Sequence, residues 1–384
     1  MRVLIVDSSC VLEVNQHKWV ELAKYEDIEL LILVPRVWIS DINKEKYFYQ
    51  PNSANPELVV AGDVFFPGAS NRYFFGNNFV KTLQKFHPDI ILVDTEPGNP
   101  SALQFTLLAK LFGAKLLFYT HENNPQGSIS GIKRLARTLT EAIVFRGSEY
   151  AIAVSEDAKN LLKRKGFKKS IKVIPHATNS DHFHRMYEKD LKEKLNLKGF
   201  VIGYLGRLSR EKGLLSLIRA IVKLKKKDGN FTLLLVGEGI LREEIEVLAD
   251  ELEVKEKIRF TGAAKHHDAP RYFNCMDLLV LPSLTMPYWK EQFGRVLIEA
   301  MACEIPVLGS NCGEIPNVIR KTGGGLIFKE DDTEELKEKI LLLMRDENLR
   351  RRLAKRGRVS VTSRFSYTFV AQEIRKVLLS ILSQ

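Results

Sequence analysis

The stretch Pro287–Pro316, PYWKEQFGRVLIEAMACEIPVLGSNCGEIP, decides which fold the sequence predicts. Four apolar residues in it have the spacing of one buried helical stripe: Val296, Leu297, Ala300 and Met301. The apolar run 305–308 then predicts a short strand, the polar run 309–313 predicts a turn, and a second helix should begin near Glu314. This order indicates an α/β domain, in which ligands bind beyond the carboxyl ends of the strands.

Two carboxylates, Glu291 and Glu299, stand eight positions apart at the start of the first helix. We expect this helix to begin near Phe293 or Gly294, so that Glu291 lies in the incoming loop and Glu299 lies more than one turn into the helix. The N–H groups of the first turn lie between them and favour an anion. The arrangement suits a nucleotide-sugar, which has hydroxyls at both ends and phosphate in the middle. The alternative is a solvated glutamate followed by an ordinary amphipathic helix.

Length and composition exclude several classes of protein. A chain of 384 residues with 45% hydrophobic residues predicts two globular domains of nearly equal size. No apolar run approaches the ~20 residues that span a bilayer, and the N-terminus, MRVLIVDSS, is too short for a signal-peptide core. We therefore expect a cytoplasmic protein. The four cysteines have no CxxC spacing, which argues against a zinc site and against a disulfide framework.

The net charge of +11 indicates anionic partners. Nucleic acid, an anionic membrane surface and phosphorylated small molecules are the candidates. The basic runs contain no interleaved aromatic residues and match no motif for RNA or DNA binding. We therefore expect no nucleic-acid partner, and we assign the charge to capture of an anionic substrate or to peripheral contact with an anionic membrane.

The rest of the chain alternates between strand and helix patterns, and several strands are unbroken apolar runs, as parallel sheets require. Strands are predicted at Arg2–Val6, Glu29–Val34, Ile90–Asp94, Lys115–Tyr119, Tyr150–Val154, Ile171–Ile174, Val201–Leu205, Phe231–Val236, Ile258–Thr261, Leu278–Leu281, Pro306–Leu308 and Leu326–Phe328. We expect loops from Arg36 to Ala69. A charged break near residues 185–199 divides domain 1–184 from domain 200–363. The predicted fold has two doubly wound, Rossmann-like domains that face each other across a cleft.

Turns after the strands of the second half carry candidate ligand-binding groups. Gly206 allows a tight turn after a strand and places Arg207 and Lys212 where two cations can neutralise a diphosphate. A solvated basic loop is an equal alternative. Gly237 permits close approach of the backbone to a ligand, and the turn at Thr261 offers backbone groups to a base. Both of these signals are weak.

These motifs, GRLSREK, GEG and EQFG with Glu299, resemble in order and spacing the retaining glycosyltransferases of family four. The resemblance is strongest over residues 201–320 and implies the GT-B fold. It implies that Arg207 and Lys212 bind the donor diphosphate, that Glu299 binds the ribose, and that Glu291 contacts the donor sugar beside the backbone of Gln292, Phe293 and Gly294. It also implies that the C-terminal helix, residues 364–384, crosses back to the first domain.

In the first half, His121 follows a strand, and by the resemblance it lies beside the donor sugar, where it could orient a hydroxyl. The alternative is a histidine that only caps the strand through hydrogen bonds. Asp94 is a more speculative group for contact with the acceptor. The pair His266 and His267 is expected to start a surface helix. The loop Asp7–Trp19 departs from the glycine-rich loop that many members of the family carry.

The resemblance implies an enzyme, a hexosyltransferase of the retaining type that acts in polysaccharide or glycoconjugate synthesis. The donor would be a UDP- or GDP-sugar, and the acceptor would be a saccharide or a lipid-linked hydroxyl at the inner face of the cell membrane. No metal is required, because cations and a helix terminus can stabilise the leaving group. Arg207, Lys212, Glu291 and His121 would carry the chemistry. Two alternatives remain: a non-catalytic nucleotide-sugar-binding subunit, and a nucleotide-sugar epimerase on the same fold.

Overall fold

The chain forms two compact units in the computed structural model, which describes residues 1–40, 44–69, 71–123 and 131–383. Unit 1 is Met1–Pro175 with Tyr367–Gln384, and unit 2 is His176–Ser366. Residues 176–199, which the sequence divided between the first domain and a linker, lie in unit 2. Side chains of unit 2 hold this segment: Asn274 bonds the backbone of His184 and Met186 at 2.9 Å, and the Arg358 guanidinium donates to the carbonyl of Phe183 at 2.8 Å.

Unit 1 is built on a parallel sheet of seven strands. The strands of the unit are β1 (Arg2–Asp7), β2 (Glu29–Pro35), β3 (Val37–Ile39), β4 (Lys46–Phe48), β5 (Val59–Gly62), β6 (Val64–Phe65), β7 (Phe74–Phe75), β8 (Ile90–Asp94), β9 (Lys115–Thr120), β10 (Ser148–Ala153) and β11 (Ser170–Val173). The sheet order is β11-β10-β9-β8-β1-β2-β5. The order reverses between β1 and β8, which end in Asp7 and Asp94. A doubly wound sheet binds ligands at this point.

The prediction of loops from Arg36 to Ala69 is wrong for much of that stretch. β5 forms an edge of the sheet, parallel to β2, and β3 pairs with β4 in an antiparallel ladder. The run Val59–Ala61 is short, but Val59 is buried against the sheet, and tertiary pairing makes it a strand. Residues 41–43 of the stretch lie outside the described part of the chain.

The helices of unit 1 cover the sheet and supply its core. They are α1 (His17–Ala23), α2 (Val80–Phe86), α3 (Pro100–Phe112), α4 (Gly131–Gly147) and α5 (Glu156–Arg164), together with the C-terminal helix Tyr367–Leu382. Phe79 and Phe105 pack on Phe75 with their ring centroids 5.7 Å away, beneath the buried strand residues. The hydroxyl of Ser155 accepts from the backbone N–H of Ala158 and caps α5.

Unit 2 is a parallel sheet of six strands with helices that connect them. The strands are β12 (Phe200–Leu205), β13 (Phe231–Val236), β14 (Ile258–Gly262), β15 (Leu278–Leu281), β16 (Val307–Ser310) and β17 (Gly325–Phe328). The helices are α6 (Lys189–Lys194), α7 (Leu214–Lys225), α8 (Arg242–Glu251), α9 (Ala269–Phe273), α10 (Arg295–Ala302), α11 (Ile315–Thr322), α12 (Thr333–Arg345) and α13 (Glu347–Arg364). The order β14-β13-β12-β15-β16-β17 is the doubly wound order, and it reverses between β12 and β15.

All twelve strands predicted from the sequence are present, with ends shifted by no more than two residues. The last helix, α14 (Tyr367–Leu382), belongs to unit 1 and packs on α1. The ring of Tyr367 lies 5.5 Å from that of His17, and Arg375 forms an ion pair with Asp27 at 2.8 Å. Among the described residues, none of the helices combines the length and the apolar character that crossing a membrane requires.

Candidate functional site

Unit 2 has a cavity of about 340 Å3 at the point where its strand order reverses. The ends of β12 and β15 and the start of α10 form its walls. The residues that line it are Tyr204, Leu205, Gly206, Arg207, Lys212, Ala264, His266, Ala269, Leu281, Glu291, Gly294, Arg295, Val296 and Glu299. The cavity therefore brings together six residues that the sequence predicted for the donor site: Gly206, Arg207, Lys212, Glu291, Gly294 and Glu299.

A buried ion pair lies on one wall of this cavity. The Lys212 ammonium is 2.6 Å from the Glu291 carboxylate, and both side chains are nearly buried. The hydroxyl of Ser283 donates to the same carboxylate oxygen at 2.9 Å, and the ammonium stands 4.7 Å from the centre of the Trp289 ring. An ammonium group has three donors, so Lys212 can bind a phosphate oxygen while it stays paired with Glu291.

The backbone of Glu291 is fixed by the turn before α11. The N–H of Glu314 donates to the Glu291 carbonyl at 3.1 Å. Gly313, which has φ +54°, passes so close that a Cβ there would lie 2.1 Å from the same carbonyl oxygen. Only glycine fits at position 313. A Cβ there would collide with the backbone of Glu291, and residues that carry a side chain are strained in the left-handed conformation.

The start of α10 forms a second wall. Gly294 is the N-cap residue with φ +79°, and the first N–H groups of the helix have no partner within it. The Glu299 side chain is largely buried, and its carboxylate lies 3.7 Å from Nε2 of His266. Two predicted neighbours do not line the cavity: Gln292 is exposed, and the buried ring of Phe293 packs near those of His176 and Phe365.

The turn after β12 presents a half-exposed cation to the cavity and has closely packed backbone behind it. The Arg207 side chain is about half exposed, and its guanidinium lies 3.6 Å from the Glu211 carboxylate. Gly237, with φ +149°, packs on Gly206, and a Cβ at 237 would lie 1.9 Å from the carbonyl oxygen of Gly206. Gly237 and Thr261 do not line the cavity, so Gly237 supports the turn instead of touching the cavity.

Unit 1 has a charge cluster at its own reversal point, between β1 and β8. Nε2 of His121 is 2.8 Å from one oxygen of Asp94, and the Lys18 ammonium is 2.6 Å from the other oxygen. Lys18 also lies 3.7 Å from Asp7, at the end of β1. The ring of Tyr119 stacks on that of His121 with centroids 4.9 Å apart. This cluster joins α1, β1, β8 and β9 through side chains far apart in the sequence.

Burial and pairing oppose each other in setting the pKa values of this cluster. Burial favours the neutral form of each group, but the attraction between opposite charges outweighs it. The pKa of Asp94 therefore falls well below its usual range, because Lys18 and His121 stabilise the carboxylate. The pKa values of Lys18 and His121 rise in return. The pairing thus favours the charged form of the His121 ring.

A second carboxylate, Glu96, has the opposite shift. Burial and the nearby charge of Glu122 raise its pKa. Its oxygens accept from the Thr120 hydroxyl and from the His121 backbone N–H, the latter at 3.0 Å. The loop after β9 is therefore fixed from two sides, at the ring and at the backbone of His121.

The sequence did not predict four residues of these two sites: Asp7 and Lys18 in unit 1, and Ser283 and His266 as site groups in unit 2. Lys18 lies on α1 within the loop that departs from the family pattern, and its partner Asp94 is 76 positions away. His266 does begin a short 3-10 helix as predicted, yet it also lines the cavity. The sequence signal that could have indicated this cavity position is that His266 follows β14, the second strand after Gly206.

Comparisons with known families agree with this architecture. A family model described as Glycosyl transferases group 1 matches residues 187–360, and a model described as Glycosyltransferase Family 4 matches residues 32–182. The chain is similar to the capsular polysaccharide biosynthesis glycosyltransferase CapM of Staphylococcus aureus, with 26% identity over 316 residues, which is 80% of this chain and 81% of CapM.

The fold is that of solved glycosyltransferase structures. Anabaena HepE in complex with UDP aligns with a TM-score of 0.76 over 99% of this chain and 100% of HepE, at 19% identity. The sucrose-phosphate synthase of Thermosynechococcus elongatus aligns with a TM-score of 0.71 over 100% of this chain and 99% of that one, at 20% identity. The chain therefore belongs to the group 1 glycosyltransferases of family four and has their GT-B fold of two Rossmann-like domains.

Proposed function

We propose that this glycosyltransferase moves a hexose, with retention of configuration, from a UDP- or GDP-sugar to a hydroxyl of a saccharide or lipid-linked acceptor. The observation that carries the proposal is the cavity of unit 2, where Lys212, Arg207, Glu291 and Glu299 surround the start of α10. A hexose carries hydroxyls, its diphosphate carries negative charge, and its nucleoside carries a ribose diol. The cavity offers one carboxylate for the sugar hydroxyls, two cations for the diphosphate and a second carboxylate for the ribose.

Each group of the cavity has a distinct role in this proposal. Arg207 and Lys212 hold the diphosphate together with the N–H groups at the start of α10. Glu299 accepts from the ribose hydroxyls, and Glu291 accepts from the donor sugar. The cations stabilise the charge that develops on the departing diphosphate, which is the task that a metal performs in other transferases. We therefore propose that no metal is required.

The transfer step breaks the bond between the sugar C1 and the diphosphate oxygen, which leaves with the electron pair, and forms a bond from C1 to the acceptor oxygen on the same face. The proton of the acceptor hydroxyl passes to the departing diphosphate oxygen. Positive charge develops on the sugar ring as the diphosphate leaves. His121 orients a sugar hydroxyl, because its pairing with Asp94 at 2.8 Å fixes the ring and raises its pKa, which favours the charged, donating form.

Among the candidate donors, the relatives favour a UDP-hexose. Anabaena HepE was solved with UDP and with UDP-glucose, and a relative with 24% identity is the 2-deoxystreptamine glucosyltransferase of Streptomyces kanamyceticus. The acceptor class follows CapM, which acts in capsular polysaccharide biosynthesis. We place the reaction at the inner face of the cell membrane, where lipid-linked saccharides are assembled.

The test is turnover of UDP-glucose and of GDP-mannose in the presence of a membrane lipid extract. Lys212→Met should reduce turnover by about 100-fold or more, since one lost electrostatic contact to the leaving group costs that much. Lys226→Met, which removes an exposed lysine of the same unit, should leave turnover unchanged. Wild-type turnover in Lys212→Met would overturn the role of Lys212.

Product analysis separates the proposal from its alternatives. A glycosylated lipid with the donor's anomeric configuration, read by the NMR coupling at C1, supports retaining transfer. An epimerised sugar without acceptor indicates an epimerase, and donor binding without turnover indicates a non-catalytic subunit. Either result would refute the proposed transfer.

A further inference from the structure

Helix α4 exposes a continuous apolar stripe. Ile132, Leu135, Leu139 and Ile143 are 87%, 62%, 57% and 43% exposed, although most large aliphatic residues of the chain are buried. Their spacing places them on one face of the helix over about 16 Å. Aliphatic side chains in one row, instead of scattered singly, indicate an interaction surface.

The exposed charges on α4 are all positive. Lys133, Arg134 and Arg146 are exposed, whereas the acidic residue of the helix, Glu141, is buried. The Glu141 carboxylate forms ion pairs with two cations of the same unit, Lys165 at 2.7 Å and Arg137 at 3.3 Å. An apolar stripe beside exposed cations is the pattern of a helix that lies in the interface of a membrane.

The inner face of α4 is joined to the loop that carries His121. The Arg137 guanidinium donates to the carboxylate of Glu122 at 2.5 Å, and Lys165 approaches the same carboxylate at 2.6 Å. A surface that contacts the outer face of α4 would therefore lie next to the segment that orients the donor sugar. A lipid-linked acceptor needs this placement, because its reactive hydroxyl stays close to the bilayer.

We infer that the outer face of α4 docks on an anionic phospholipid bilayer, with Ile132, Leu135, Leu139 and Ile143 inserted at the headgroup boundary and Lys133 and Arg146, which flank this stripe, on the lipid phosphates. The choice of a bilayer rests on the proposed lipid-linked acceptor. Charge complementarity favours it over a second copy of this chain, because a protein of net charge +11 repels its own copy.

The experiment is sedimentation of the full-length protein with vesicles of phosphatidylglycerol and phosphatidylcholine, compared with vesicles of phosphatidylcholine alone. The wild-type protein should bind the anionic vesicles and lose much of that binding at high salt. Leu135→Gln with Leu139→Gln should weaken binding by roughly 50-fold, because two apolar side chains no longer insert. Glutamine keeps the helix propensity of leucine.

A matched control replaces two aliphatic residues of similar fractional exposure elsewhere. Val247 on α8 and Val359 on α13 are 57% and 60% exposed, so Val247→Gln with Val359→Gln should bind as the wild type does. Lys133→Gln with Arg146→Gln should weaken binding by about 30-fold at low salt, because each cation at the membrane surface contributes slightly more than about fivefold.

Three outcomes would overturn the inference: no binding of the wild type to anionic vesicles, equal binding by the Leu135 and Leu139 variant, or conversion of a wild-type dimer to a monomer by that variant. The last result would assign the face to a second copy. Binding of UDP-glucose and of GDP-mannose in solution is measured in parallel on every variant. Vesicle binding without nucleotide-sugar binding would refute the proposed function and leave the docking surface intact.

Discussion

Replacing Asp94 by asparagine should destabilise unit 1, because it removes the nearest carboxylate from the buried ammonium of Lys18. The substitution keeps the size of the side chain but removes the negative charge between Lys18, at 2.6 Å, and His121, at 2.8 Å. The ammonium of Lys18, with only 17% of its side chain exposed, then keeps Asp7 at 3.7 Å as its nearest carboxylate. Removing one partner of a buried ion pair costs about 3–5 kcal/mol.

This cost corresponds to a large shift in melting temperature. In a unit of this size each 1 kcal/mol lowers the melting temperature by about 2–4 °C, so a loss of about 3 kcal/mol predicts about 6–12 °C. Asp27→Asn is the matched control, since it breaks the exposed ion pair with Arg375 in the same unit. An exposed pair contributes about 0–1 kcal/mol.

The same substitution should change the pH dependence of stability. Asp94 raises the folded pKa of His121, so the stability from this pair is fully present below the unfolded pKa of about 6.5 and is lost as pH rises through the folded value. The lowered pKa of Asp94 has the opposite effect: its contribution is present above about pH 4 and is lost as pH falls further. Asp94→Asn should remove both slopes.

Urea unfolding followed by tryptophan fluorescence measures both effects. It should be run at about pH 6 and about pH 9, below and above the pKa of an unfolded histidine. The reasoning fails if Asp94→Asn loses no more stability than Asp27→Asn. It fails equally if the variant keeps the wild-type difference in unfolding free energy between the two pH values.

Two further predictions concern unit 2 and the thiols. Gly313→Ala should cost at least about 1–3 kcal/mol and weaken donor binding, because its Cβ would press on the carbonyl of Glu291, whereas Gly229→Ala, with no atom within 4 Å of the new Cβ, should be nearly neutral in thermal unfolding. All four cysteines are buried, and burial raises the pKa of Cys275 to about 11 and that of Cys303 to about 12. A thiol-reactive disulfide reagent should therefore modify them only after unfolding, and fast modification of the native protein would contradict the buried placement.

The sequence predicted the strands and several residues that line the cavity of unit 2, because both depend on local patterns. Unbroken apolar runs located the parallel strands. The residues in the loops that follow those strands, such as Gly206 after β12 and Glu291 between β15 and α10, meet at one edge of the sheet. The same reasoning placed His121 and Asp94 at an edge of the first sheet, and the structure brings them within 2.8 Å of each other.

The sequence did not predict features that arise from long-range packing. Lys18 has no signal of its own, since a lysine on an amphipathic helix is ordinarily solvated. It becomes a site residue only because α1 follows β1 at the reversal point of the sheet. In the same way β5 is a strand because it pairs with β2, and His266 reaches the cavity because the loop after β14 turns toward α10.

The most direct test of a nucleotide-sugar site in unit 2 is a thermal-shift titration of nucleoside diphosphates and their sugars against the wild type and Glu299→Ala. A ligand that binds the folded state at 100 times its dissociation constant adds about 2.7 kcal/mol of stability. The account predicts that one nucleotide series raises the melting temperature of the wild type and that Glu299→Ala abolishes this rise. An unchanged melting temperature with every nucleotide, or an equal rise in Glu299→Ala, would contradict it.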